Sequence, residues 1–191
     1  MRAFIGIPLP EPVRHALAGL QRELAQSSAD VKWVERDHLH VTLKFLGEIS
    51  EPQREAIEAL LLRVAREEGP FALSLAGVGA FPSMAAPRVL WVGAMEGREQ
   101  VVRLAGAIER EGAAIPLPRE DRPYAAHVTL GRVRSGRHLH ELAQRLQQCA
   151  WPPQGPWRVT SVTFYQSILG SAGPHYTVLA DVPLGGAGAS P

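Results

Sequence analysis

The sequence predicts an α+β fold made of mainly antiparallel sheets with helices covering one face, and two observations lead there. Short β-prone runs lie beside one another along the chain, with helical segments interspersed among them, rather than in strict β-α-β alternation. The tetrapeptide His-Val-Thr-Leu also occurs twice, at residues 40–43 and 127–130, so that His40 and His127 stand 87 residues apart in matching strand-like contexts. An offset of that size fits two related lobes within one chain.

The elements follow in order. "RAFIGI" is a β-prone run closed by proline, and "EPVRHALAGLQRELAQSS" repeats apolar residues at Val13, Leu17, Leu20 and Leu24, which is helical spacing. "VKWV" and "HVTLKFLG" read as strands. "SEPQREAIEALLLRVAREEG" reads as a helix with Ser50 as N-cap, Pro52 in the first turn and Gly69 past the end. "FALSLAGVGAF" and "RVLWVGA" are two β-like runs split by the breaker-rich "PSMAAP", and a helix is expected around residues 97–111. The second half then resembles the first: a proline-rich loop "PLPREDRPY", a strand "AHVTLGRVR", a helix "HLHELAQRLQQC", and a final strand pair "WRVTSVTFYQSIL" and "HYTVLADVPL". Residues 1–184 are expected to form a single two-lobed domain, and the glycine-rich tail 185–191 to be disordered.

Composition narrows the function. Of 191 residues, 46% are hydrophobic and 20% charged, as in an ordinary globular protein. Twenty basic against 19 acidic side chains leave a formal net charge of +1, which excludes a global electrostatic drive toward long nucleic acids or anionic membranes, so a nucleic-acid partner must be recognised locally. Cys149 is the only cysteine, which rules out an intrachain disulfide or a cysteine-built metal centre and fits a reducing compartment. The prolines of "MRAFIGIPLPEP" come too early for a secretory segment, and no apolar run approaches a membrane span, so a cytoplasmic monomer that does not engage a membrane is expected.

The repeated tetrapeptide carries the chemistry. On a strand, alternate side chains face opposite ways, so His40 and Thr42 share one face and Val41 and Leu43 the other; His127 and Thr129 repeat this with Val128 and Leu130 behind them. Across a pseudo-dyad, one imidazole can accept a proton while the other donates one, as displacement at phosphorus with a poor alkoxide leaving group requires. The two hydroxyls can bind non-bridging phosphate oxygens.

These motifs, with "RAFIGIPLPEPV", "VKWVERDHLHVTLKFLGE", "FPSMAAPRVLWVG", "YAAHVTLGR" and "SILGSAGPHYTVL", resemble the 2H phosphoesterase superfamily, specifically its RNA 2′,3′-cyclic phosphodiesterase branch, also called the 2′-5′ RNA ligase family. The resemblance implies two pseudo-symmetric lobes, each a mainly antiparallel sheet with helices packed outside, and a cleft between them. It implies opening of a terminal 2′,3′-cyclic phosphate to a 2′-phosphate without metal or other cofactor. His40 and His127 match the catalytic histidines, and Thr42 and Thr129 the phosphate-binding hydroxyls. By the family pattern His127 activates water and His40 protonates the departing 3′ oxygen. Run backwards with an RNA 5′-hydroxyl, the same scheme gives weak 2′-5′ ligation. Ala126 departs from the family, many of whose members carry proline before the second motif histidine.

Other residues are weaker candidates. Arg132 would bind phosphate if the strand bulges at Gly131, since strict alternation turns it away from the cleft. Arg88 is a candidate nucleotide contact, and Lys44 is in phase with His40. Trp33, Phe45, Phe81, Trp91 and Tyr124 are aromatic candidates for stacking a terminal base. His138 and His140 lack the partners for a metal site, His15 and His38 read as surface or structural, and His175 as a possible cleft residue. The alternatives are a module that binds RNA ends or nucleotides without turnover, and a phosphodiesterase for a small cyclic phosphate such as an ADP-ribose derivative. The partner expected is RNA with a 2′,3′-cyclic phosphate end or a small cyclic nucleotide.

Overall fold

The chain begins as β1 (Arg2–Pro8), α1 (Glu11–Ala25) and the three-residue β2 (Val31–Trp33) in the computed structural model, which describes residues 1–119, 122–170 and 173–185. A short 3-10 turn, Arg36–His38, leads into β3 (His40–Glu48), followed by α2 (Glu51–Glu67), β4 (Phe71–Pro82), β5 (Pro87–Ala94) and α3 (Arg98–Glu111). The remainder is β6 (His127–Val133), α4 (Leu139–Gln148), β7 (Gln154–Val159), β8 (Ser161–Gly170) and β9 (Gly173–Pro183). Apart from Gly185, the tail expected to be disordered lies outside the described residues.

Local sequence explains the helices. Val13, Leu17, Leu20 and Leu24 of α1 are all buried, as their spacing predicts. On α2 Ser50 forms a reciprocal capping box: its backbone N–H donates to Gln53 Oε1 at 2.8 Å, and its hydroxyl accepts from the Gln53 N–H. This satisfies donors that a helix start otherwise leaves open.

All strand pairings are antiparallel, in the order β7-β4-β5-β6-β3-β1-β8-β9, with β2 added along β6. A shift of 87 residues carries β1 onto β5, α1 onto α3, β3 onto β6, α2 onto α4 and β4 onto β8, each to within a few residues. The two motif strands thus stand at the centre of the sheet. The lobes meet edge to edge there, through one registered pair, Val41 opposite Val128. β3 and β6 then part, and β2 takes the vacated edge of β6 by pairing Val31, Lys32 and Trp33 with Val133, Arg132 and Gly131.

The helices cross over between lobes. α3 packs on β3 and α2, while α1 packs beside α4 and β7. One continuous core results, joining Val41, Leu43 and Leu46 of β3, Val128 and Leu130 of β6, and Leu104 and Ile108 of α3. One expectation needs correction: "WRVTSVTFYQSIL" is not a single strand. It breaks at Thr160, so that β7 pairs with β4 at one end of the sheet while β8 pairs with β1 and β9 at the other. Uninterrupted β-propensity hides the break, because the choice of partner strand is a tertiary matter. Among the described residues no helix is long and apolar enough to cross a membrane.

One buried polar side chain ties this crossover together. Gln21 of α1, 8% exposed, donates from Nε2 to the carbonyls of Val34 and Leu130, each at 2.8 Å. Gln21→Leu removes the donor and leaves the Val34 carbonyl without it, a loss of about 1–3 kcal/mol. Urea unfolding should show that loss with an unchanged slope; a change under about 0.5 kcal/mol, the size of a neutral surface substitution, would contradict the role.

Candidate active site

The site begins with two anchored imidazoles. His40 Nδ1 lies 2.7 Å from the His38 carbonyl, and His127 Nδ1 lies 2.7 Å from the Ala125 carbonyl, the same i−2 contact repeated in both motifs. A carbonyl only accepts, so each Nδ1 carries the hydrogen and each Nε2 is the nitrogen left to accept one. In the first motif the Thr42 hydroxyl lies 2.9 Å from His40 Nε2 and donates to it. His127 Nε2 has no hydrogen-bond partner among the described residues.

Continuing the antiparallel register from Val41 and Val128 sets His40 opposite Thr129 and Thr42 opposite His127. The two histidines then flank the single β3–β6 pair as diagonal neighbours.

Each imidazole has its own aromatic setting. His40 stacks on Phe4 with ring centroids 4.7 Å apart, Tyr165 stacks on Phe4 at 4.9 Å and lies 6.3 Å from His40, and Tyr176 meets His40 edge-on at 5.7 Å. Across the strand Gly6 makes room: a Cβ there would lie 2.9 Å from the Val41 carbonyl and 3.1 Å from His40 Cδ2. His127 stands edge-on to Phe81 at 5.4 Å, with Trp91 behind at 6.3 Å. Burial lowers the pKa of both histidines below the usual 6.5 because it disfavours the imidazolium. The Arg132 charge adds to this at His127, and His38 adds to it at His40.

Two matched bulges decide what else faces the cleft. In the β1–β3 pairing Leu43 is skipped, between Lys44 opposite Ile5 and Thr42 opposite Gly6; in the β5–β6 pairing Leu130 is skipped in the same way. These positions are again 87 residues apart. Each bulge reverses the alternation beyond it. Arg132 therefore lines the cavity, and Gly131 is required there because a Cβ would meet Val31 and Trp33 at 2.8 and 3.0 Å. Lys44 is turned the other way: it is buried, ion-paired with Glu109 of α3, and donates to the Pro118 carbonyl at 3.0 Å.

The cavity has a volume of about 670 Å³, within the range of small-molecule sites. His40, Thr42, Thr129 and Arg132 line it, with Trp33 and Phe45 among the aromatic candidates. His127 is not among the residues lining this cavity; it sits two residues before Thr129, on the same face of β6. Arg88 is not brought there: it is exposed at a bulge where β5 meets β4 and is not among the described lining residues. Tyr124 holds the scaffold by donating to the Thr42 carbonyl at 2.7 Å, and burial raises its pKa so that it stays a donor. His38, expected at the surface or in a structural role, lines the cavity and rests on Tyr176 at 4.4 Å. His175 and His15 are exposed, and His138 is the N-cap of α4 beside Glu141. Phe4, Gly6, Tyr176, Arg2, Lys32, Glu35 and Arg134 were not found from sequence. Only Arg134 left a signal, since it is in phase with Arg132 once the bulge is known.

A sheet of this order with His-x-Thr twice at its centre defines the two-histidine class of phosphoesterase fold. The chain belongs to the LigT like Phosphoesterase family, whose model matches it twice in succession, over residues 7–91 and 92–176. Its relatives include the RNA 2′,3′-cyclic phosphodiesterase of Methanothermobacter thermautotrophicus, 34% identical with 93% of this chain and 95% of that one aligned. That of Thermus thermophilus is 36% identical, over 97% and 91%. Among solved structures, TT0787 of Thermus thermophilus superposes with a TM-score of 0.80 at 33% identity, covering 98% of this chain and all of the other. E. coli LigT complexed with 3′-AMP gives 0.76 at 27% identity, covering 96% and 97%.

Two outcomes follow. Because burial favours the neutral ring, both His40 and His127 lose their proton at a pH below 6.5, and NMR titration of the ring protons should show both midpoints on that side. A midpoint above 7 for either would contradict the burial argument. Gly6→Ala should displace the His40 ring and shift its resonances while leaving those of His127 in place; unchanged His40 resonances would show that the close approach is unimportant.

Proposed function

We propose that this protein is an RNA 2′,3′-cyclic phosphodiesterase that opens a terminal cyclic phosphate to a 2′-phosphate by acid-base catalysis between His40 and His127. The observation that carries the reading is the mirrored anchoring of the two imidazoles on adjoining strands at the centre of the sheet, each held through Nδ1 by a carbonyl two residues earlier. Nε2 is left as the proton-carrying nitrogen, engaged by the Thr42 hydroxyl in His40 and without a partner among the described residues in His127. A binding module has no use for two matched proton carriers. The names of the relatives support the substrate class.

In this scheme a water oxygen attacks phosphorus while His127 Nε2 takes its proton. The bond from phosphorus to O3′ breaks, and O3′ receives the proton from His40 Nε2. Thr42 and Thr129 donate to the two non-bridging oxygens, and Arg132 offsets their charge. Thr42 must first release His40 Nε2, so substrate binding frees the acid for use. The assignment of His40 as the acid and His127 as the base follows the pattern of the family that the chain resembles. Reversal with an RNA 5′-hydroxyl in place of water gives a 2′-5′ linkage.

An oligoribonucleotide ending in a 2′,3′-cyclic phosphate, incubated in excess EDTA, should yield a 2′-phosphate end. His40→Ala and His127→Ala should each lose on the order of 10²–10⁴-fold in kcat. Thr42→Val and Thr129→Val should each lose about 10²-fold, as when one transition-state donor is removed. Binding without ring opening, or full activity in either histidine variant, would overturn the reading.

The pH dependence has a definite sign. In the free enzyme both imidazoles favour the neutral form, so the proton needed for the acid is lost below pH 6.5 and the alkaline limb of kcat/KM falls there. Bound substrate brings a negative charge that holds the acid's proton, so the alkaline limb of kcat lies at higher pH. Coincident limbs would contradict the account.

A further inference from the structure

The 87-residue symmetry that matches the two motifs fails at the next positions facing the cavity. Beyond the bulge on β3 these are Phe45 and Gly47; beyond the bulge on β6 they are Arg132 and Arg134. β2 adds a third cation to the second wall, because Lys32 is registered opposite Arg132 and opposed residues in an antiparallel pair share a face. Phe45, by contrast, presents an aromatic ring that is 59% exposed. At the matched positions the second wall carries arginines where the first carries Phe45 and Gly47, while Arg2 of β1 also lines the cavity on the first side and Trp33 of β2 on the second.

These cations are available to a ligand. Among the described residues, Lys32, Arg132 and Arg134 have no carboxylate within ion-pair distance, whereas Arg14, Arg36, Arg54, Arg63 and Arg103 each do. Glu35, the acidic residue lining the same cavity, lies 3.6 Å from His38. Nor can one phosphate occupy all the cations. At about 3.3 Å per residue, Arg132 stands roughly 10 Å along β6 from Thr129 and Arg134 roughly 16 Å. Arg132 can reach back to a phosphate held by Thr129, but Arg134 cannot.

We infer that Lys32 and Arg134 form a second phosphate subsite, which holds a phosphate on the 5′ side of the terminal nucleoside while Phe45 on the opposite wall carries that nucleoside's base. The inference rests on the reading that this cleft opens cyclic phosphates. It makes the substrate a nucleotide with at least two phosphates, one cyclic and one attached through the 5′ oxygen. It also gives the symmetric cleft a direction, since only one orientation places a second phosphate on the wall of Lys32 and Arg134.

The test compares adenosine 2′,3′-cyclic phosphate, its 5′-phosphorylated form, and the dinucleotide ApA ending in a cyclic phosphate, each with wild type, Lys32→Gln and Arg134→Gln. Wild type should favour a substrate bearing the second phosphate by at least about 10-fold in kcat/KM, mostly through KM, the size of one charge-assisted contact. Each substitution should remove most of that gain, leave turnover of adenosine cyclic phosphate within about 2-fold, and lower the log-log salt slope for the dinucleotide by about 0.7. A gain for the 5′-phosphorylated mononucleotide identifies a nucleotide's 5′-phosphate as sufficient; a gain for the dinucleotide alone identifies the internucleotide linkage. Equal kcat/KM for all three substrates, or variants that depress all three alike, would overturn the subsite while leaving the cyclic phosphodiesterase reading intact. If adenosine cyclic phosphate and both longer substrates stay closed with wild type, the underlying reading fails and the subsite with it.

Discussion

Everything in this molecule depends on how little β3 and β6 pair. They meet at Val41 and Val128 and separate at once, with β2 filling the edge that β6 would otherwise offer to β3. A longer ladder would flatten the sheet and close the cleft; without the pair, the lobes would have no common register. The single junction places both His-x-Thr motifs at one point and leaves the space beyond it open. The crossing of α1 and α3 to opposite lobes then makes the junction rigid, because neither lobe has a complete core without a helix from the other half.

Within that frame each imidazole is built for one nitrogen to react. The carbonyls of His38 and Ala125 hold the Nδ1 hydrogens, which fixes the ring orientation and the tautomer before any ligand arrives. The aromatic packing that holds the rings also removes water and favours the neutral forms. This suits a proton acceptor directly. A proton donor needs a neighbouring negative charge, and a cyclic phosphate supplies it. In the proposed scheme symmetry provides the pair, and the substrate's own charge together with the unlike residues of the cleft distinguishes its members.

Much of this could be read from the chain, and the failures have a common cause. The helices announce themselves by spacing and caps, and the motif residues by strict alternation, because both are local properties. The bulge at Leu43 breaks alternation without a local signal, which is why Lys44 reads as facing the cleft, whereas the one at Leu130 lies beside Gly131, the residue on which the placing of Arg132 in the cleft depends. Arg88, a candidate from its place before "VLWVG" alone, falls at a bulge against β4 and outside the cavity lining. Phe4, Gly6 and Tyr176 come to His40 from β1 and β9, strands whose proximity only the sheet order reveals. The split of "WRVTSVTFYQSIL" at Thr160 belongs to the same class, since nothing local tells β7 and β8 that their partners lie at opposite ends of the sheet.

The central claim is that water displaces O3′ directly, in line, between two histidines that move protons and never bond to phosphorus. The stereochemical course at phosphorus tests it most directly. One diastereomer of a 2′,3′-cyclic phosphorothioate, opened by the enzyme in ¹⁸O-labelled water, should give a chiral 2′-phosphorothioate of inverted configuration, as a single displacement requires. Retention would mean two displacements and a covalent intermediate on the protein, and the account of His40 and His127 as acid and base would be wrong.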